Sequence, residues 1–222
     1  MKIGILSDAH GNHIGFDKCI NYLSEHSDVI YYLGDAVGYQ PFGNVIIDKL
    51  RRLGCHCLLG NHESMLVGQI PFTDENADVY KIEQCRKDLS EENISYIQTL
   101  LPYKELKISH RKILFVHGDP INPLDGYVYP NTDLDKFGYL DYDVVLMGHT
   151  HRPFKAKVNK TLFVNVGSCG LPRDVGNKMS FAVLNTDTIE VELKDIRIDT
   201  ELLISTFAPF VHSSVIELYK RR

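Results

Sequence analysis

Asp143-Val144-Val145-Leu146-Met147-Gly148-His149-Thr150-His151 decides how this chain folds. An apolar run that stops at a glycine is the pattern of a strand buried on both faces. The two histidines that follow are two residues apart, and in a strand they would point to opposite faces. They can serve one site only if the backbone turns after Met147, and Gly148 is expected to permit that turn. Four other segments end in the same way. Lys2 to Ser7 runs into Asp8-Ala9-His10, and Val29 to Leu33 into Gly34-Asp35. His56 to Leu59 runs into Gly60-Asn61-His62-Glu63, and Ile113 to Val116 into His117-Gly118. Five strands are therefore expected to deliver Asp, His and Asn side chains to a single rim. An α/β sheet builds a metal site at its strand ends in this way.

Those blocks, in order Asp8-x-His10, Gly34-Asp35, Gly60-Asn61-His62-Glu63, His117 and Gly148-His149-x-His151, resemble the complete signature of the calcineurin-like metallophosphoesterases. One block alone is common in turns; five in order, each after a strand-like run, are specific. The resemblance implies a four-layer αββα sandwich with two packed mixed β-sheets. It also implies that Asp8, His10 and His151 hold one divalent ion, Asn61, His117 and His149 hold a second, and Asp35 bridges them. Two such ions roughly 3.5–4 Å apart would activate a bridging water for in-line attack and neutralise the phosphoryl oxygens. His62 matches the family's non-ligand histidine, which contacts the phosphoryl group and can protonate the departing alkoxide. Nitrogen and oxygen ligands suit manganese, iron, nickel, cobalt or zinc, so the metal's identity stays open.

Each of these residues also has a plainer reading. Asp8 and Asp35 could cap helices, and Asn61 could serve a turn. Structural roles explain each residue separately, but not why all eight occur in this order. His13, His26, His56, His110 and His212 match no motif. Glu63 is read as a support for its loop, and Asn12 as a neighbour of the site at most.

Composition bounds the alternatives. The 222 residues are enough for one well-buried domain, expected to span 1–222. A formal charge of −5 gives no strong nucleic-acid footprint, yet leaves a small phosphorylated substrate open, since bound cations reverse the local field. No apolar run reaches the roughly 20 residues that span a bilayer, and the chain enters its first strand at once. A cytoplasmic protein with no membrane partner is expected; the oligomeric state is not legible. Five cysteines without paired spacings exclude a disulfide framework, and Cys55 and Cys57 read as small apolar residues of a strand.

Between the motif blocks the periodicity predicts helices over 13–26, 44–53, 77–88 and 132–140. Another is expected to start at the cap Ser90 and run through Leu101 to the stop at Pro102. The helical stretch 64–101 would flank the site as a wall or simply pack as a layer. Strands are expected within 103–117, then at 162–166, 180–184 and 189–193, the last group suggesting a second sheet packed on the first. The tail is expected to be helical from Ser213.

Departures from relatives narrow the substrate. Protein serine/threonine phosphatases of this superfamily carry Asp-Arg-Gly after the bridging aspartate, whereas this chain has Asp35-Ala36-Val37-Gly38-Tyr39. The stretch is similar to the small bacterial or archaeal phosphodiesterase-like branch, which often carries a Gly-Tyr-x-Pro loop here and a late Gly-Ser…Pro-Arg-Asp stretch. Within Gly167-Ser168…Pro172-Arg173-Asp174, Arg173 either binds a substrate phosphate or forms a structural ion pair. The expected activity is hydrolysis of a small phosphodiester or nucleotide. The alternatives are a phosphomonoesterase and, from another class, a non-catalytic binding protein on the same fold, like the retromer subunit that resembles this family.

Overall fold

The computed structural model describes residues 1–72 and 74–222. The strand ahead of Gly148, β6 in chain order (Val144–Met147), is buried at every position. Val144 and Leu146 face one core cluster, Val145 and Met147 another, which is why the run is continuously apolar.

Two five-stranded sheets pack on each other. The first has the order β10-β9-β1-β2-β3, with β1 Lys2–Leu6, β2 Val29–Tyr32, β3 His56–Cys57, β9 Lys178–Asn185 and β10 Glu190–Arg197. The second has the order β4-β5-β6-β8-β7, with β4 Tyr103–Ile108, β5 Arg111–Val116, β7 Phe154–Val158 and β8 Thr161–Asn165. Both are mixed: β1 pairs in parallel with β2 and antiparallel with β9, while β6 lies parallel to β5 and β8. Ile3, Ile5 and Tyr31 of the first sheet meet Ile113, Phe115 and Leu146 of the second in the core between them. The outer face of the first sheet is covered by helices α1 (His13–His26) and α2 (Gly43–Arg52), with Phe16, Ile20 and Ile46 in the contact. Val128, Leu134 and the 3-10 turn Asp135–Phe137 cover the outer face of the second. This gives the expected four layers.

The expected single rim forms, but from two sheets. β1, β2 and β3 bring Asp8, Asp35 and Asn61 from one sheet, and β5 and β6 bring His117 and His149 from the other. The late strands also divide: β9 and β10 extend the first sheet, whereas β8 joins the second with β7, a strand the sequence reading did not place.

Several helices differ from expectation. The segment 77–88 is two helices, α4 (Ala77–Tyr80) and α5 (Ile82–Asp88), because Lys81 adopts φ 54°. That break frees the Tyr80 carbonyl to accept the Tyr39 N–H at 2.7 Å. Helix α6 (Glu91–Ile97) starts at the expected cap, with Ser90 accepting the Asn93 N–H. It stops at Ile97, where the chain tightens into turns closed by the Thr99 N–H to Tyr96 O and the Leu100 N–H to Ile97 O, each at 3.0 Å, and the Leu101 carbonyl then accepts the Leu59 N–H at 2.9 Å. Only Asp135–Phe137 of 132–140 is helical, a single turn anchored by buried Phe137. Thr73, within the 64–101 stretch, lies outside the described residues. The tail forms α7 (Thr200–Phe207) and α8 (Ser213–Tyr219), and α3 is Asn61–Leu66. No described helix is long and apolar enough to cross a membrane.

Candidate metal centre

Backbone conformation aims the rim residues. Asp8, His10, Asp35, His149 and His151 have φ of 59°, 48°, 61°, 67° and 56°. The left-handed region costs a non-glycine residue on the order of 1–3 kcal/mol and persists only where the surroundings enforce it. Here the strand pairing continues past the strand ends: the Asp8 N–H donates to Gly34 O and the His10 N–H to Asp35 O, each at 3.0 Å. The turn expected at Gly148 falls on the two histidines instead, and Gly148 is outside the positive-φ set. Its lack of a side chain serves close approach, since a Cβ there would lie 2.2 Å from Ser7 Oγ and 2.7 Å from Asp8 Oδ2.

Two overlapping constellations result. Potential ligand atoms of Asp8, His10 and His151 lie within 4.8 Å of one another, as do those of Asp35, His117 and His149; His10, Asp35 and His62 form a third such group. The Nδ1 atoms of His10, His117 and His151 sit 3.0, 2.8 and 2.6 Å from the carbonyl oxygens of Val37, Leu33 and Leu171. A carbonyl only accepts, so Nδ1 carries a proton in each ring and Nε2 is turned inward, the atom whose lone pair a cation would take. His10 Nε2 and His151 Nε2 are then 3.0 Å apart, and His117 Nε2 is 3.0 Å from Asn61 Oδ1. Asp35 Oδ2 faces His10 Nε2 at 3.6 Å and His117 Nε2 at 3.5 Å, and Asp8 Oδ1 faces His151 Nε2 at 3.3 Å. Asp8 Oδ1 and His149 Nε2 are buried with no hydrogen-bond partner among the described residues. Acceptors converging on acceptors, with two orphaned ligand atoms among them, are the donor set a divalent cation fits.

The charges agree. Burial pushes the Asp8 carboxyl up, but the nearby charges of His151 and His117 outweigh it and hold it down at about 2. Asp35, pushed up by burial, is held well below the carboxylate range by His117 and His62. Burial lowers His117, yet Asp35 more than compensates and raises it to about 9. A metal-free site thus keeps a proton on His117, where a cation would replace it. Burial, then repulsion from His117, pushes His149 down to about 3, and burial brings His62 to about 4.

Glu63 does more than support a loop. Its carboxylate accepts the N–H groups of Asp35 (2.8 Å), Ala36 (2.6 Å), Val37 (3.1 Å) and Gly60 (3.0 Å), welding the Asp35 loop to the start of α3. Burial and then the Asp35 charge push Glu63 up to about 7, and the four donors favour the ionised form against that pressure. Ser168 Oγ donates to the Asp8 carbonyl at 2.7 Å. Asn12 caps α1 through the Gly15 N–H and donates to Gly170 O at 2.7 Å.

Above the cluster is a cavity of about 210 Å³ whose lining includes Asp35, Asn61, His62, His149, His151 and Arg173. Asp8, His10 and His117 lie beneath it, fully buried. The structure thus brings every singled-out residue to one place. The His62 N–H donates to Asp35 Oδ1 at 3.0 Å, while its buried Nδ1 has no partner among the described residues. Its ring stacks on Tyr39, with centroids 5.1 Å apart. Arg173 Nη2 donates to Tyr39 Oη at 2.9 Å, and Arg173 pairs with no described carboxylate. Of the unassigned histidines, His26, His56, His110 and His212 are exposed, and His13 packs on Phe42. The sequence reading missed the rest of the lining: Tyr80, Tyr127, Tyr129, Arg152 and Arg221. Only Arg152, adjacent to His151, carried a positional signal.

The sequence model of the calcineurin-like phosphoesterase superfamily domain matches residues 1–189, so this chain belongs to that family. The family is divalent-metal dependent. Similar proteins include a probable metallophosphoesterase of Methanocaldococcus jannaschii, 38% identical over 78% of this chain and 70% of the relative. A phosphodiesterase of the same organism is 25% identical over 76% of this chain and 84% of its own. Among solved structures, a metallophosphoesterase from Sphaerobacter thermophilus superposes with a TM-score of 0.80 at 21% identity, covering 99% of this chain and 98% of that one.

Proposed function

We propose that the chain is a binuclear metal-dependent phosphoesterase that hydrolyses a small phosphodiester or nucleotide. The observation that carries this reading is the convergence of inward-turned Nε2 atoms and carboxylate oxygens on two adjacent points that share Asp35. Asp8, His10 and His151 would hold one ion, Asn61, His117 and His149 the other, with Asp35 between. When bound, such ions supply a water acidic enough to attack phosphorus and charge to neutralise the phosphoryl oxygens. Manganese, iron, nickel, cobalt and zinc all suit the ligands.

His62 faces the cavity beside this cluster and is read as contacting the phosphoryl group rather than a metal. Burial holds the ring neutral in the free protein; an anionic phosphate next to it would favour the protonated form, which can then protonate a departing alkoxide. The helices within 64–101 are read as a wall of the site, supported by Tyr80, whose ring lies 4.8 Å from that of His62. We read 1–222 as one domain, because α8 returns Tyr219 to bond Gln40 and Asn12 beside the cluster.

The test is turnover of bis-p-nitrophenyl phosphate beside p-nitrophenyl phosphate after metal reconstitution. The diester should be cleaved, and faster than the monoester. A faster monoester would mark a phosphomonoesterase. Cleavage of neither, with metal bound, would favour a binding protein on this fold.

A further inference from the structure

Arg152, Arg173 and Arg221 stand together at the mouth of the cavity. They come from three separate stretches, yet the backbone fixes them to one another. Arg152 follows His151 directly, and the Arg173 N–H donates to the His151 carbonyl at 3.2 Å. Arg221 arrives from beyond the family match, two residues past helix α8. Its Nη1 donates to the Arg173 carbonyl at 3.1 Å, and its own carbonyl accepts the Gly176 N–H at 2.9 Å. None of the three pairs with a carboxylate among the described residues, although the chain carries a net charge of −5. Arg173 Nε is buried and has no hydrogen-bond partner among the described residues. Three unpaired guanidinium groups repel one another, and a buried N–H without an acceptor is costly. An anion at this position removes both penalties, and guanidinium is suited to phosphate.

We propose that Arg152, Arg173 and Arg221 form a subsite for a second phosphate linked to the one being cleaved, so that the substrate class is an oligophosphate ester. This rests on the phosphoesterase reading of the adjacent cluster. The arginines line the same cavity as His151 and are tied to it through the backbone, so a phosphate chain with its reacting phosphorus at the Asp–His cluster can reach them. Tyr127 and Tyr129, about half exposed with rings within 18° of parallel, line the same cavity and offer a face to an organic ring of the substrate. Hydrolysis there adds one water. Its oxygen bonds to the phosphorus at the cluster, and the bridging P–O bond breaks. The departing phosphate keeps that electron pair, and the water's proton passes to it or to solvent. The arginines stabilise the charge that accumulates on the departing phosphate.

The experiment is calorimetric titration of tripolyphosphate into metal-stripped protein, which reads the arginines without turnover. Wild type should bind, and Arg221→Gln and Arg152→Gln should each weaken binding about tenfold, the loss of one charge-assisted hydrogen-bonding partner. Arg221 is exposed, so its variant should fold; an unchanged melting curve checks this. Absence of binding by wild type, or equal affinity in wild type and both variants, overturns the subsite. Hydrolysis of adenosine triphosphate and bis-p-nitrophenyl phosphate by the reconstituted protein separates the two readings. Binding without turnover of either compound sinks the catalytic reading and leaves the subsite standing.

Discussion

The carboxylate of Glu63 accepts the backbone N–H of Asp35 at 2.8 Å, so the residue placed between the two constellations is held by a side chain that belongs to neither. Replacing Glu63 by Gln puts an amide N–H₂ against the N–H donors of Ala36 and Val37 or against those of Asp35 and Gly60. Removal of an outer hydrogen-bonding partner typically costs about 10–100-fold in metal affinity. Glu63→Gln should therefore weaken manganese binding by that order and lower the melting temperature. Wild-type affinity in a calorimetric titration would show that the Asp35 loop holds itself.

Asp35→Asn should lose both ions rather than one. The Asp35 carboxylate faces His10 of one group and His117 of the other. Replacing it removes a negative charge from both. Elemental analysis after gel filtration should find less than one ion per chain and hydrolysis at background. Two retained ions with near-normal turnover would contradict the placement of Asp35.

His62→Gln should keep the fold and both ions and lose rate. General acid-base groups typically contribute about 10²–10⁴-fold, so turnover should fall by that order. The loss should be larger for an alkyl ester than for a nitrophenyl ester, whose leaving group departs without a proton. Equal losses on the two esters would make His62 a positioning residue. Loss of an ion would make it a ligand.

The site was legible because its chemistry is local in sequence: each ligand follows a buried run within one to four residues. What sequence could not show is how the runs divide between sheets. β6 and β1 are alike in apolar pattern, and their partners separate them: β1 pairs with β2 and β9, β6 with β5 and β8. Lys81 breaks a regular helical pattern because the Tyr80 carbonyl pairs with Tyr39, a contact 41 positions away in the chain. The turn assigned to Gly148 falls on His149 and His151, since strand-end hydrogen bonds can hold even a histidine at positive φ. Arg221 and the tyrosines of the mouth belong to no periodic pattern; folding alone brings them together.

The five cysteines should be unreactive in the folded protein. Burial pushes the thiols of Cys55 and Cys85 up to about 11 and Cys57 to about 12, and raises Cys19 and Cys169 as well. At pH 8 the thiolate fraction of such a group is on the order of 10⁻³ or less. Ellman's reagent should label none quickly and all five on unfolding. A raised thiol pKa means that the folded state holds the proton more tightly. Stability should be intact below the unfolded thiol value of about 8.5 and decline as pH rises beyond it. Rapid native labelling of any thiol, or flat stability across that range, would contradict the burial.

The central claim is that two cations act together on one substrate. Manganese titrated into metal-stripped protein, with bound metal and bis-p-nitrophenyl phosphate hydrolysis read on the same samples, tests it most directly. The account predicts that two ions bind per chain and that hydrolysis rises mainly with the second. Full hydrolysis in the metal-stripped protein, or saturation of both binding and activity at one ion per chain, would contradict it.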